Sequence, residues 1–310
     1  MMRQSSPSGS TRSLLILCAV GVDLLIANGV SCSQATIQSA APRPNILLIF
    51  PDQMRAQDLG CMGNADVRTP NLDHVASEGI LLQRTFANSP VCCPARATIL
   101  TGKYVHQNGM IANDLRLRES EVTLAELLAH QGYRTGFIGK WHLDGGKRLP
   151  GYVPPGPRRQ GFQFWAANEC HHNHFDTQYF RNTDTAIPIK KFEPEAWTDI
   201  AIEFLRETEN RPFFLMLAMG PPHNPYKAPE KYMEMYERQA LTMRPNWVEG
   251  INRAGREEIA AYYAAITAVD EQVGRLMRAL DELGLTEDTI VLFTSDHGDM
   301  LGSHRARLKR

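Results

Sequence analysis

Asn45-Ile46-Leu47-Leu48-Ile49-Phe50 is apolar at nearly every position and runs into Pro51-Asp52-Gln53. A strand with one face in water alternates apolar and polar side chains, whereas a continuous apolar run needs cover on both faces, the condition of a strand inside a parallel sheet. Phe213-Phe214-Leu215-Met216-Leu217 repeats the pattern, and Thr135 to Ile138 and Thr289 to Thr294 read as two further strands. Helical signals separate them. Thr123 and Glu126 make a capping box ahead of Leu124, Leu127 and Leu128, and Gly132 offers a stop. Trp197, Ile200, Ala201, Phe204 and Leu205 share one helical face, as do Ile259, Tyr262, Ile266, Val269, Val273, Leu276, Leu280 and Leu283. Strand and helix in alternation predict an α/β fold with a largely parallel central sheet flanked by helices, whose ligand sites lie at the carboxyl ends of the strands. Asp52 and Asp296 both fall at such ends. Leu149 to Asp184, rich in Pro, Gly, His and aromatic residues without periodicity, reads as a long surface loop or insertion.

A chain of 310 residues holds one large core or two ordinary ones. With 33 Lys and Arg against 34 Asp and Glu, no overall field recruits nucleic acid or an anionic membrane, so any anion site must be local. Arg3 and Arg12 precede an apolar run from Leu14 to Val30, followed by small residues from Ser31 to Ala41. This is a signal-peptide pattern and predicts export to the periplasm or the exterior. Asp23 interrupts the run and argues against a stable membrane span. Cys32 raises the alternative of a lipid anchor, although Gly29 stands where a bacterial lipoprotein signal usually carries Leu. Outside this leader, Cys61, Cys92, Cys93 and Cys170 do not make a disulfide framework. Adjacent Cys92 and Cys93 also lack the CxxC spacing of a zinc knuckle or redox site.

Cys92-x-Pro94-x-Arg96 alone admits a plain reading as a buried cysteine pair ahead of a helix. Arg96 is the first discriminator, because a fixed guanidinium can hold both a nucleophile and a bound oxyanion. Three more motifs follow predicted strands: Gly139-Lys140-Trp141-His142-Leu143, Pro221-Pro222-His223-Asn224-Pro225 and Ser295-Asp296-His297-Gly298-Asp299. Singly they read as a lysine snorkelling beside core aromatics, a turn histidine between prolines, and a carboxylate opening a turn. At the sheet edge where ligands bind, they read together as a site.

Ser89-Pro90-Val91-Cys92-Cys93-Pro94-Ala95-Arg96-Ala97-Thr98-Ile99-Leu100-Thr101-Gly102-Lys103-Tyr104 resembles the signature segment of type I sulfatases, members of the alkaline-phosphatase-like superfamily. The resemblance implies that a separate maturation enzyme oxidises Cys92 to formylglycine, with Cys93 at the variable position. A hydrated aldehyde suits sulfate transfer: one hydroxyl attacks sulfur, and the other later loses its proton to expel sulfate and regenerate the aldehyde. The family pattern further implies a divalent metal at that hydroxyl, held by Asp52, Gln53, Asp296 and His297 together with the modified Cys92. Many sulfatases carry Asp-Asp and Asp-Asn at these places; Gln53 and His297 resemble variants shared by some sulfatases and phosphonate monoester hydrolases. The resemblance implies Ca2+. Oxygen donors suit Ca2+ or Mg2+, and the imidazole also permits Mn2+.

By the same resemblance Lys140 contacts the sulfate and the nucleophile, and His142 helps break down the covalent hemiacetal. His223 is a candidate leaving-group acid. Lys309 falls where a later catalytic lysine is expected, within a basic terminal run that offers a competing explanation. Several cations around one pocket match the charge that a sulfate ester spreads over its oxygens during transfer. Lys103 and His106 read equally as site support and as packing. Cys170-His171-His172-Asn173-His174 lacks a recognisable zinc frame and reads as a substrate-facing loop.

The resemblance covers about Pro44 to Arg310. Related enzymes continue, completing the main sheet region and adding a smaller C-terminal subdomain. The expectation is therefore residues 1–41 as signal peptide and short linker, and 42–310 as an N-terminal catalytic domain of the alkaline-phosphatase-like sandwich, incomplete at its C-terminus. Ser303-His304-Arg305-Ala306-Arg307 departs from the glycine-containing segment expected there. The implied activity is hydrolysis of a sulfate monoester on a sulfated small molecule or glycan. The alternatives are a phosphonate monoester or phosphodiester hydrolase using the same formylglycine and metal, and an inactive truncated remnant.

Overall fold

The computed structural model describes residues 43–207, 211–247 and 255–309. The leader and the Cys32 anchor reading lie outside these residues. The chain runs through β1 (Asn45–Asp52), α1 (Pro70–Glu78), α2 (Cys92–Thr101), α3 (Val105–Asn108), α4 (Leu124–His130), β2 (Arg134–Lys140) and β3 (Phe164–Asn168). It continues through β4 (Thr177–Tyr179), β5 (Ile187–Ile189), α5 (Glu193–Arg206), β6 (Phe213–Pro222), α6 (Glu230–Met233), α7 (Arg256–Glu282) and β7 (Thr289–Phe293). Five strands form one sheet in the order β3-β2-β6-β1-β7, and β4 pairs with β5 as a separate hairpin. Every neighbouring pair in the large sheet is parallel, so all five carboxyl ends lie along one edge.

The continuous apolar runs are explained by two cores. Leu47 and Ile49 of β1 face a layer built from Trp197 and Phe204 of α5 and Tyr262, Ile266 and Val269 of α7. Leu48 and Phe50 face the other way, onto Cys93, Ala97 and Leu100 of α2, Ala125 of α4, and Phe137 and Trp141. Alternate residues of one strand thus serve two helical layers, and a polar side chain at any of these positions would lie buried without water. The capping box forms at α4: Glu126 N–H donates to Thr123 Oγ1 at 3.3 Å, and Thr123 N–H donates to Glu126 Oε2 at 2.9 Å. Gly132 then takes a left-handed φ of 83°, which ends the helix and turns the chain into β2. No described helix is long and apolar enough to cross a membrane.

The stretch from Leu149 to Asp184 corrects the loop reading. Phe164–Asn168 is a strand of the main sheet, with Phe164 to Asn168 in register with Gly136 to Lys140. Trp165 stacks on Phe137 at 5.3 Å and meets Trp141 edge-on at 5.2 Å, so aromatic packing fixes this strand. Phe-Trp-Ala-Ala-Asn is short and has no β-branched residue, which left it without a strand signature. The strands also reach further than their apolar cores suggest: β1 extends to Asp52 and β6 to Pro222.

Candidate active site

Four parallel strands deliver the site. Asp52 is the last residue of β1, Lys140 the last of β2, His223 follows β6, and Asp296 and His297 follow β7. Cys92 opens α2 and Arg96 lies one turn further along, on the same helical face. The partial positive charge of a helix N-terminus therefore faces the centre beside the cysteine. Gly139 makes the entry of Lys140 feasible: its φ is +107°, and a Cβ there would fall 1.9 Å from the Ala218 carbonyl oxygen of the neighbouring strand.

These residues converge. The Sγ of Cys92 lies 2.9 Å from Lys309 Nζ, 3.3 Å from His297 Nε2 and 3.6 Å from Asp52 Oδ1. Arg96 bridges two carboxylates, with Nη2 3.1 Å from both Asp52 Oδ2 and Asp296 Oδ2, while Nη1 donates to the Lys140 carbonyl at 2.6 Å. Lys140 Nζ reaches Asp52 Oδ2 at 2.6 Å. Burial works against a charge on Asp52, yet Lys140 and Arg96 hold its carboxyl well below the ordinary range. Burial likewise disfavours the Lys140 ammonium, and Asp52 outweighs it, so the lysine stays charged.

The donor set fits a divalent cation. Ligand atoms of Asp52, Cys92, Asp296 and His297 all lie within 4.8 Å of one another and are buried. His297 donates from Nδ1 to the Gly298 carbonyl at 3.0 Å, which leaves Nε2 as the inward-facing nitrogen. Burial pulls the imidazole down, but Asp296, Cys92 and Asp52 push it up to about 9. Two carboxylates facing one imidazole call for positive charge between them, which either a proton or a metal ion can meet. Gln53, at φ +69°, is fixed by Nε2 donating to Asp299 Oδ2 at 2.6 Å, and its Oε1 lies 3.3 Å from Lys309 Nζ.

The two other histidines are neutral. Burial, with Lys140 and Arg96 nearby, lowers His142 to about 2. Burial first, then Lys140 and Lys309, lowers His223 to about 2 against the pull of Asp52. His223 donates from Nδ1 to the Asn224 carbonyl at 2.7 Å and accepts at Nε2 from Lys309 at 2.9 Å, so the proton nearest the site is the lysine's.

Lys103 and His106 are not brought to this centre. Lys103 pairs with Glu121 at 2.8 Å, and His106 stacks on Tyr104. The histidine loop does reach it: His172 stacks on His223 with centroids 4.3 Å apart. His171 and His174 both meet the buried Glu193 carboxylate, at 3.2 and 2.7 Å, and His174 Nε2 lies 2.8 Å from the His223 carbonyl. Glu193 was invisible in sequence because an acidic residue in the first turn of a helix is ordinary. Asp299, which holds Gln53 and accepts from Tyr226 at 2.7 Å, lies inside a quoted motif but had no assigned role.

The sulfatase family model matches residues 44–310. The chain is 40% identical over 274 residues to an ulvan-active sulfatase of Formosa agariphila, an alignment covering 87% of this chain and 53% of that protein. It is 30% identical to an endo-4-O-sulfatase of Bacteroides thetaiotaomicron, covering 92% of this chain and 64% of that one. The crystal structure of yidJ from Bacteroides fragilis superposes with a TM-score of 0.81 at 33% identity, over 89% of this chain and 68% of that chain. The chain thus spans between 53% and 64% of the length of these two curated relatives. With that match running through every strand that delivers the site, the chain belongs to the sulfatase family.

Proposed function

We propose that this protein hydrolyses a sulfate monoester on a sulfated saccharide, with Cys92 as the precursor of the nucleophile. The observation that carries the reading is the convergence of Arg96, Lys140 and Lys309 with Asp52, Asp296 and His297 around the Cys92 sulfur. Three fixed cations in a buried site complement an ester whose charge grows on its oxygens, and they need no reorganisation as the reaction proceeds. Relatives named for sulfatase action on ulvan and as an endo-4-O-sulfatase support a saccharide substrate. A cleft of about 630 Å3 opens against Asn224, Tyr226, Arg307 and Leu308, the sequence neighbours of His223 and Lys309, and offers room for a leaving group.

Asp52, Asp296, His297 and the modified Cys92 would hold a divalent cation, with Gln53 beside them; the hard oxygen donors favour Ca2+. The ion would lower the pKa of the nucleophilic hydroxyl and polarise a sulfate oxygen. Formylglycine would supply that hydroxyl. Arg96 orients Asp52 and Asp296, and Lys140 keeps Asp52 ionised. Lys309 and His223 present a proton toward the leaving oxygen, and His142 accepts one when sulfate departs. Residues 42–310 act as the catalytic domain, preceded by an export signal at 1–41; a maturation enzyme is the implied partner.

The test is co-expression with a formylglycine-generating enzyme, peptide mass analysis across Cys92, then assay of an aryl sulfate and a phosphonate monoester. Conversion of the thiol to the aldehyde with turnover of the sulfate is expected. An untouched thiol despite a competent maturation system would sink the mechanism. Preference for the phosphonate would reassign the reaction, and no turnover of either by a folded, oxidised chain would mark it as a binding remnant.

A further inference from the structure

His142 carries an unusual pair of ring environments. Nε2 faces Asp114 Oδ1 at 3.4 Å, whereas Nδ1 is buried and has no hydrogen-bond partner among the described residues. A buried ring nitrogen left bare is costly unless something arrives to use it.

Asp114 is held for this task from three directions. Its own N–H donates to Cys93 Sγ at 3.3 Å, and the preceding Asn113 accepts from Cys93 N–H at 3.0 Å, which straps the loop to the helix that begins at Cys92. Arg148 grips its carboxylate in a fork, Nε at 2.9 Å from Oδ1 and Nη2 at 3.0 Å from Oδ2. Its backbone sits at φ +67°, a conformation that an Asp residue adopts only at a cost. None of these ties is needed to fill a core, because Asp114 is partly exposed while His142 is buried.

We propose that Asp114 is a positioning residue: it accepts the Nε2 proton of His142, fixing the tautomer in which Nδ1 is the free acceptor of the site, and Arg148 fixes Asp114. An ionised carboxylate can only accept, so the ring nitrogen facing it must carry the hydrogen and the other must be bare. A neutral ring has no third arrangement. The proton His142 takes belongs to the sulfatase reading above; the tautomer does not depend on it.

The experiment is nitrogen-15 NMR of the full chain with ring-labelled histidine, His142 being identified by the signal lost in His142→Phe. The wild type is expected to show a neutral ring with hydrogen on Nε2. Asp114→Asn, whose Oδ1 can still accept, is expected to keep that form, and Asp114→Ala to give a mixture of tautomers. Hydrogen on Nδ1 in the wild type, or an Asp114→Ala spectrum identical to the wild type, would overturn the proposal. In the matured enzyme Asp114→Ala should lower kcat about tenfold or more with little change in KM, as misorienting a catalytic imidazole does, and Asp114→Asn should restore most of it. A change confined to KM would make Asp114 a substrate contact and overturn the positioning role. Absence of turnover in the wild type counts against the sulfatase reading alone, because the tautomer is read without it.

Discussion

Lys309 Nζ stands 2.9 Å from Cys92 Sγ across 217 residues of sequence. The same ammonium reaches Gln53 Oε1 and His223 Nε2, so one side chain joins elements that follow β1, open α2 and leave β6. Its charge adds to those of Arg96 and Lys140, against the carboxylates of Asp52 and Asp296. These side chains thus present a positive excess, the complement of the anionic ester proposed as substrate.

Lys309→Ala should lower aryl sulfate turnover by about a hundredfold, the cost typical of removing one donor to a developing oxyanion. The side chain is only partly buried, so thermal stability should hardly move. Steady-state kinetics beside thermal denaturation checks both; unchanged turnover would remove Lys309 from the site.

Lys140→Met should destabilise the fold. It leaves the buried Asp52 carboxylate with Arg96 and the His297 imidazole, 3.5 Å away, as its remaining close partners, and breaking a buried pair from one side costs about 3 kcal/mol or more. Urea denaturation at neutral pH measures it, and added divalent cation should recover part of the loss.

Glu169→Gln should stabilise the protein in alkaline but not in acid solution. Glu169 Oε1 accepts from the N–H groups of Asp144 and Gly145, while Oε2 is buried without a partner. Burial, with Asp144 nearby, raises the carboxyl from 4.5 to about 7. The folded state then holds a proton that the unfolded state has lost, so wild-type stability is full below pH 4.5 and falls as pH rises toward 7. The glutamine is neutral throughout. Its advantage should be near zero at pH 4.5 and on the order of 3 kcal/mol at pH 8, read from urea curves at both values.

Gly139→Ala should abolish the soluble fold or cost several kcal/mol. The new Cβ would strike the Ala218 carbonyl oxygen at 1.9 Å, and that atom belongs to the backbone of β6 and cannot rotate away. A circular dichroism melt close to that of the wild type would contradict this packing.

β1 and β6 were legible because double burial leaves a continuous apolar run, and β7 because its run is apolar although Ile290 and Leu292 stand exposed; the residues of the strand-end motifs were legible because they stand where such runs stop. β3 escaped because its stability comes from Trp165 packing on Phe137 and Trp141, a tertiary contact with no local signature. Asp114 and Glu193 escaped for a related reason. Each acts through a histidine brought close by folding, over 28 residues for His142 and 19 for His174. Nothing in their own neighbourhoods distinguishes them from surface acids. Lys103 and His106 show the converse: they lie within or just beyond the signature segment, yet at the far end of α2 from Cys92.

The pairing of β1 with β7 has a consequence for synthesis. Asn45 to Ile49 emerge from the ribosome early, but one edge of this strand is matched only when Thr289 to Phe293 have been made. Until then β1 carries a bare hydrogen-bonding edge and an apolar face that awaits α5 and α7. Closure of that edge therefore waits on β7, and β1 stays open along it while everything from α1 to α7 is being made.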